Sequence, residues 1–203
     1  MAIAIRKDWK HYTWISDRII ETRIKVLNRN VTILGVYAPV EGKEQDTEDF
    51  YRELQQSRDK IHKMENIILE RDFYGRIRNQ PFPECIGTYG EQVTNYSGAA
   101  LRDYCAFNKH KINNSFYKHK DIQKFTWEAR GTRSIIDYII INDRLKSNIE
   151  DTRVFRGSKI VSKHKLVESK FKFLTFAKIV ITKMDKTIDK NLQHLKYICW
   201  NKN

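Results

Sequence analysis

The sequence predicts a mixed α/β sandwich, with many short strands, a few helices between them and helices on the outer faces. Three observations carry this. Two apolar runs, "IETRIKVL" (20–27) and "VTILGVY" (31–37), flank the turn residues "NRN" as a hairpin does. A strand–helix–strand order follows through "TEDFYRELQQSRDKIHKM" and "NIIL". Five more strand-like segments then crowd the second half around one further helix.

Each element has its own justification. "IETRIKVL" alternates apolar and charged residues, the period of a half-buried strand, whereas "VTILGVY" is apolar enough to be buried on both faces. Pro39 in "YAP" stops that strand because proline cannot donate to a ladder. In the next segment Phe50, Leu54, Ile61 and Met64 share a helical stripe, with Asp46 or Thr47 as cap. "PFPECIGTYGEQ" (81–92) is a loop by its Pro and Gly content, and "SGAALRDYCAFNKH" (97–110) is a helix. Strands are expected at "KINNSFY", "KFTWEAR", "IIDYIII", "DTRVF" and "LVESKFKF"; the last puts Val167, Ser169, Phe171 and Phe173 on one face. Beyond Leu174, the spacing of Ile188, Leu192, Leu195 and Ile198 predicts a helix in a basic tail.

Composition bounds the function. A chain of 203 residues, 40% hydrophobic, can bury one sizeable core. No apolar run reaches the ~20 residues of a membrane span, and the start "MAIAIRKDWK" is too short an apolar stretch for a signal peptide. Cys85, Cys105 and Cys199 are odd in number and lack metal spacing, which fits reduced thiols in nucleus or cytoplasm. The net charge of +13 points to a polyanionic partner, nucleic acid above all. Residues 159–203 hold eleven lysines and three acids, so +8 of that charge lies there. Lysine without interleaved arginine favours phosphate attraction over base reading.

Four residues recur at strand ends: Tyr37 in "GVYAP", Asp72 in "ILERDFYG", Asp137 in "RSIIDYIIIND" and His164 in "VSKHKL". Singly, each reads as a wall residue, a turn cap or a solvated side chain. Together, with "VTILGVYAPVEGKEQDTEDFYRELQ", "ECIGTYGEQVTN", "GAALRDYCAFN" and "KFTWEARGTRSIIDYIIINDRL", their order resembles the endonuclease/exonuclease/phosphatase superfamily over residues 1–174. Within it the resemblance is to retrotransposon-type endonuclease domains and craniofacial development protein 2-like sequences.

The resemblance implies a four-layer αββα sandwich of two packed mixed sheets flanked by helices. It places the domain at 1–174, beginning after the family's first strands, with 175–203 as the tail. It implies hydrolysis of nucleic-acid phosphodiesters with Mg²⁺, an ion that needs hard oxygen ligands. Residue by residue, it gives Asp72 the orientation of the attacking water, Tyr37 and His164 contacts to phosphate, and Asp137 the orientation of His164. Arg130 and Arg133, in the turn "EARGTRS" (128–134), fall where the family's hairpin touches duplex, a DNA contact that arginine in a groove would suit.

The departures matter as much. The family's Gly-Asp-x-Asn reads Arg71-Asp72-Phe73-Tyr74, and its Ser-Asp-His reads Ser162-Lys163-His164. The family's metal-binding Glu would fall upstream of Met1, so no residue here is assigned as a metal ligand and weak Mg²⁺ binding is expected. Three readings follow: an active Mg²⁺-dependent endonuclease, a substituted copy that has lost hydrolysis, or a binding module using its basic surface.

Overall fold

The computed structural model describes residues 12–26, 29–155, 162–173 and 177–180. The elements, in chain order, begin with β1 (Tyr12–Trp14), β2 (Ile19–Val26), β3 (Arg29–Tyr37), α1 (Glu44–Asp59), β4 (Asn66–Asp72) and α2 (Tyr96–Phe107). After α2 come β5 (His110–Ile112), a one-turn α3 (Asp121–Lys124), β6 (Trp127–Ala129), β7 (Thr132–Ser134), β8 (Asp137–Asn142), β9 (Ile149–Phe155), β10 (Leu166–Phe173) and β11 (Ala177–Val180). Two 3-10 turns, Asn113–Phe116 and Asp143–Asn148, follow β5 and β8.

Six strands form the main sheet in the order β1-β2-β3-β4-β8-β5, with β3 and β4 parallel and their neighbours antiparallel. The parallel pair needs a crossover, and α1 supplies it. Every residue of β4 is buried, because the strand lies between two cores. Leu34, Val36, Ile67, Leu69, Tyr138 and Ile140 face the helices, meeting Phe50 and Leu54 of α1 and Leu101 and Cys105 of α2. The alternate residues Val31, Ile33, Ile68, Ile139 and Ile141 face the other way, onto Val167 and Phe171 of β10. Each such aliphatic side chain removed from water is worth about 1.5–3 kcal/mol. The second sheet runs β11-β10-β9, and β6 and β7 form a separate hairpin. Helices, sheet and second sheet stack as the mixed α+β sandwich expected, with α3 against β9.

Local details differ from the sequence reading. The first helix ends at Asp59, so Ile61 reaches the core from the following turn and Met64 is exposed. Lys43 takes the N-cap position of α1 without a side-chain bond, and Thr47 instead donates its hydroxyl to the Lys43 carbonyl 2.8 Å away. Only Lys111 and Ile112 of "KINNSFY" are strand, as the end of β5, and a 3-10 turn follows, because Ser115 and Asn114 spend their side chains on backbone groups. In β10, Glu168 is buried alongside the apolar face because Arg153 Nε donates to it at 2.9 Å. Strand β11 pairs with β10 across residue 174, so the second sheet continues into the segment assigned to the tail. The helix expected around Ile188–Ile198 lies outside the described residues.

Candidate functional site

Strand register builds the site. Tyr37 ends β3, Asp72 ends β4 and Asp137 begins β8, and the pairings Tyr37–Asp72 and Asp72–Asp137 set all three in one row across adjacent strands. This row lies at the carboxyl ends of the parallel strands, where open α/β sheets commonly place ligands. Backbone bonds lock it: Ala38 N donates to the Asp72 carbonyl and Phe73 N to that of Ile136, both at 2.9 Å.

His164 arrives from the other sheet. The segment before β10 is clipped to β6 by Glu128 N to the Lys163 carbonyl (2.9 Å) and Lys165 N to the Thr126 carbonyl (2.6 Å). The imidazole then lies between two buried carboxylates: Nδ1 is 3.0 Å from Asp137 Oδ2, and Nε2 is 3.7 Å from Asp72 Oδ2. The tautomer that donates Nδ1–H to Asp137 leaves Nε2 facing Asp72 and the open side. Asp72 Oδ1 accepts from Tyr74 N at 3.2 Å, closing an Asx turn.

Tyrosines form the rim. The Tyr37 and Tyr74 hydroxyls are 2.8 Å apart, and their rings meet edge to face at 5.7 Å. Burial, then the Tyr37 hydrogen bond and the nearby Asp72 charge, push the Tyr74 phenol well above its ordinary value. Both substituted positions of the strand-end motif have left-handed backbone, Arg71 with φ 112° and Tyr74 with φ 48°. These are conformations that glycine and asparagine adopt at low cost and bulkier residues do not.

With this geometry in hand, similar proteins are informative. No family model matches the chain. Over 160 residues it is 28% identical to craniofacial development protein 2 of Bos taurus and to that of Tragulus javanicus. The match takes in 77% of this chain, which spans only 27–28% of the length of those relatives. Among solved structures, an endonuclease/exonuclease/phosphatase family protein from Leptotrichia buccalis superposes with a TM-score of 0.56 at 19% identity, over 79% of this chain and 56% of its own. The endonuclease domain of TRAS1, a telomere-specific non-LTR retrotransposon, gives 0.57 at 14% identity, over 84% and 67%. The Neisseria 3′ phosphatase NExo, bound to product DNA hairpin, gives 0.56 at 15% identity, over 84% and 72%. The chain has the endonuclease/exonuclease/phosphatase fold.

In this endonuclease/exonuclease/phosphatase fold, all four residues named from the resemblance converge on one end of the main sheet. The two arginines are close in sequence but differ in setting. Arg130 and Gly131, at φ 49° and 77°, make the two-residue turn of the β6–β7 hairpin, and Arg130 is exposed. Arg133 stacks 4.9 Å from the Phe125 ring and lies 3.6 Å from Asp121. The hairpin adjoins the site because Trp127 of β6 bridges to His164.

Sequence reasoning assigned no metal ligand, yet Asp72, Asp137 and His164 each bring a potential donor atom within 4.8 Å of the others. Their chemistry matches Mg²⁺ only in part: the two carboxylates are the hard oxygens that ion takes, and the third donor is not an oxygen. One of the three donors is an imidazole, its Nδ1 held by Asp137, and an oxygen of Asp72 is held by the Tyr74 amide.

Sequence reasoning also missed the residues that hold the site in shape. Buried Thr126 accepts from both Ile136 N and Asp137 N at 3.0 Å. Asn114 brackets Asp137 from the other side, donating to its carbonyl and accepting from Ile139 N. Asn95 caps α2 through Gly98 N, accepts from Arg76 N at 2.7 Å and donates to the Tyr74 carbonyl at 2.9 Å. Glu91, buried, takes Arg76 on one oxygen and Ile135 N on the other, tying the strand ends of Asp72 and Asp137 together. The available signal was small: Thr126 stands between Phe125 and Trp127, whereas Asn114, Asn95 and Glu91 have polar or glycine neighbours and carry no such mark. Among the described residues no helix is long and apolar enough to cross a membrane.

Proposed function

We propose that this chain is a retrotransposon-derived, endonuclease-like domain that binds DNA phosphodiesters and has lost efficient Mg²⁺-dependent hydrolysis. One observation carries the reading: Tyr37, Asp72 and Asp137 stand in one strand-end row with His164 between the carboxylates. Asp137 orients the imidazole, His164 Nε2 and the Tyr37 hydroxyl meet the phosphate, and Asp72 orients a water. Such a constellation contributes by positioning and by general acid–base chemistry. The DNA hairpin in the Neisseria neighbour and the retrotransposon origin of TRAS1 support the substrate class and the derivation.

Impairment is supported by four features. Tyr74 fills the place of the phosphate-holding asparagine and spends its hydroxyl on Tyr37. Arg71 and Tyr74 bracket Asp72 with backbone costs of about 1–3 kcal/mol each. The donor set around Asp72 includes an imidazole, whose Nδ1 is already held by Asp137, in place of a further hard oxygen. Exposed Lys163 takes the position of a family carboxylate, which further disfavours a divalent ion.

The test is nicking of supercoiled plasmid with Mg²⁺. No nicking above background is expected, and neither Lys163→Asp nor Tyr74→Asn restores it. Nicking that Asp72→Ala and His164→Ala abolish refutes the impairment. A second reading, a non-catalytic nucleic-acid-binding or scaffold module of nucleus or cytoplasm, draws on the net charge of +13. In both readings duplex affinity falls steeply with salt. Replacing Arg130 and Arg133 by alanine lowers the salt slope by about 1 for each phosphate no longer neutralised. Affinity independent of salt refutes the DNA partner.

A further inference from the structure

The end of the main sheet opposite Asp72 opens into a polar cavity of 650 Å³. Arg29 and Asn30 begin β3 there, Asn66 begins β4, Arg144 lies in the 3-10 turn after β8, and His62 and Glu65 precede β4. The frame is pinned. Asn66 Nδ2 donates to the Asn30 carbonyl at 2.9 Å, while the buried Asn142 accepts from Ile67 N at 3.1 Å and donates to the Glu65 carbonyl at 2.9 Å.

The lining is unbalanced in charge. Two guanidinium groups face a single carboxylate, and Glu65 already accepts from the Thr32 hydroxyl. Arg144 Nη1 reaches only the Met64 sulfur at 3.7 Å, a weak acceptor, and among the described residues neither arginine is ion-paired. His62 Nδ1 accepts from Met64 N at 3.2 Å, so the neutral ring carries its proton on Nε2 and is a further donor. Forked guanidinium donors with little competing carboxylate suit a tetrahedral oxyanion, and the volume leaves room for the group that bears it.

We propose that this cavity binds a phosphate group, carried by a nucleotide or by a nucleic-acid backbone, with Arg29 and Arg144 as its guanidinium donors. The proposal is independent of the Asp72 site, which lies at the far end of the same strands. Pyrophosphate is the probe, titrated calorimetrically into the full chain and into an Arg29→Glu/Arg144→Glu variant. Both arginines are exposed, and circular dichroism checks that the variant folds. Lys118→Glu/Lys120→Glu, the same charge change elsewhere, is the control.

The expected result is pyrophosphate binding weakened at least tenfold by the arginine pair and unchanged by the lysine pair. No binding by the unaltered chain overturns the proposal, and so does equal weakening in both variants. A duplex arm separates the sources. A salt slope lowered by about 2 in the arginine variant identifies backbone phosphate. An unchanged slope with pyrophosphate binding lost identifies a small phosphate compound. Plasmid nicking bears on neither outcome.

Discussion

Thr126 shows how much one side chain holds at the residue scale. Its Oγ1 accepts from two buried amides, those of Ile136 and Asp137. Thr126→Val keeps the shape and orphans both donors, each worth about 1–3 kcal/mol. A loss of about 2–4 kcal/mol is expected in urea unfolding, with Thr126→Ser close to the original. His110 makes a pH prediction. Burial pushes its imidazole from 6.5 down to about 4, and its Nε2 has no hydrogen-bond partner. Above about pH 6.5 the ring is neutral in folded and unfolded chains alike. Between 6.5 and 4 the unfolded chain takes the proton first, so stability falls as the pH drops, by about 3 kcal/mol in all. His110→Gln is expected to remove that part of the slope in unfolding midpoints measured from pH 7 to 4, whatever its effect at pH 7.

At the element scale, the weak point is where α2 begins. Asn95 caps the helix and holds the loop that leaves Asp72, so helix and loop touch closely at Gly98. A Cβ added there would meet the Arg76 carbonyl oxygen at 1.9 Å, and backbone cannot swing aside as a side-chain tip can. Gly98→Ala is expected to cost about 3 kcal/mol or more, the upper range of overpacking. The strain passes into the turn that carries Tyr74, so amide exchange of residues 73–76 should quicken ahead of the sheet. Unchanged exchange there would show that the loop is held by other interactions.

For the whole molecule, the decisive packing is between sheets. Phe171 of β10, fully buried, fills the face formed by β2, β3, β4 and β8, and the same sheet pairing brings in the segment of His164. Phe171→Ala is expected to cost about 3–5 kcal/mol, as large cavities in cores do. Because the second sheet carries His164 to Asp137, the variant should also broaden or shift the His164 imidazole resonances in NMR. A destabilised chain with those resonances unmoved would separate core packing from site assembly.

The sequence by itself determined the main strands and helices and the identity of the four strand-end residues. Alternation in "IETRIKVL" and continuous apolarity in "VTILGVY" and "NIIL" are written in local side-chain chemistry, and they appear as β2, β3 and the buried β4. Local chemistry also marked Arg71 and Tyr74 as misfits, and both adopt left-handed backbone. It misplaced the end of the first helix and the cap at Lys43, because the terminal turns of a helix are only weakly set by local side-chain pattern. Only the tertiary structure decided that Asp72 and Asp137 are register partners, that His164 lies between them, and that Thr126, Asn114 and Glu91 brace them. Those interactions join residues far apart in the chain, and strand register is fixed by the packing of two sheets, which no local stretch encodes.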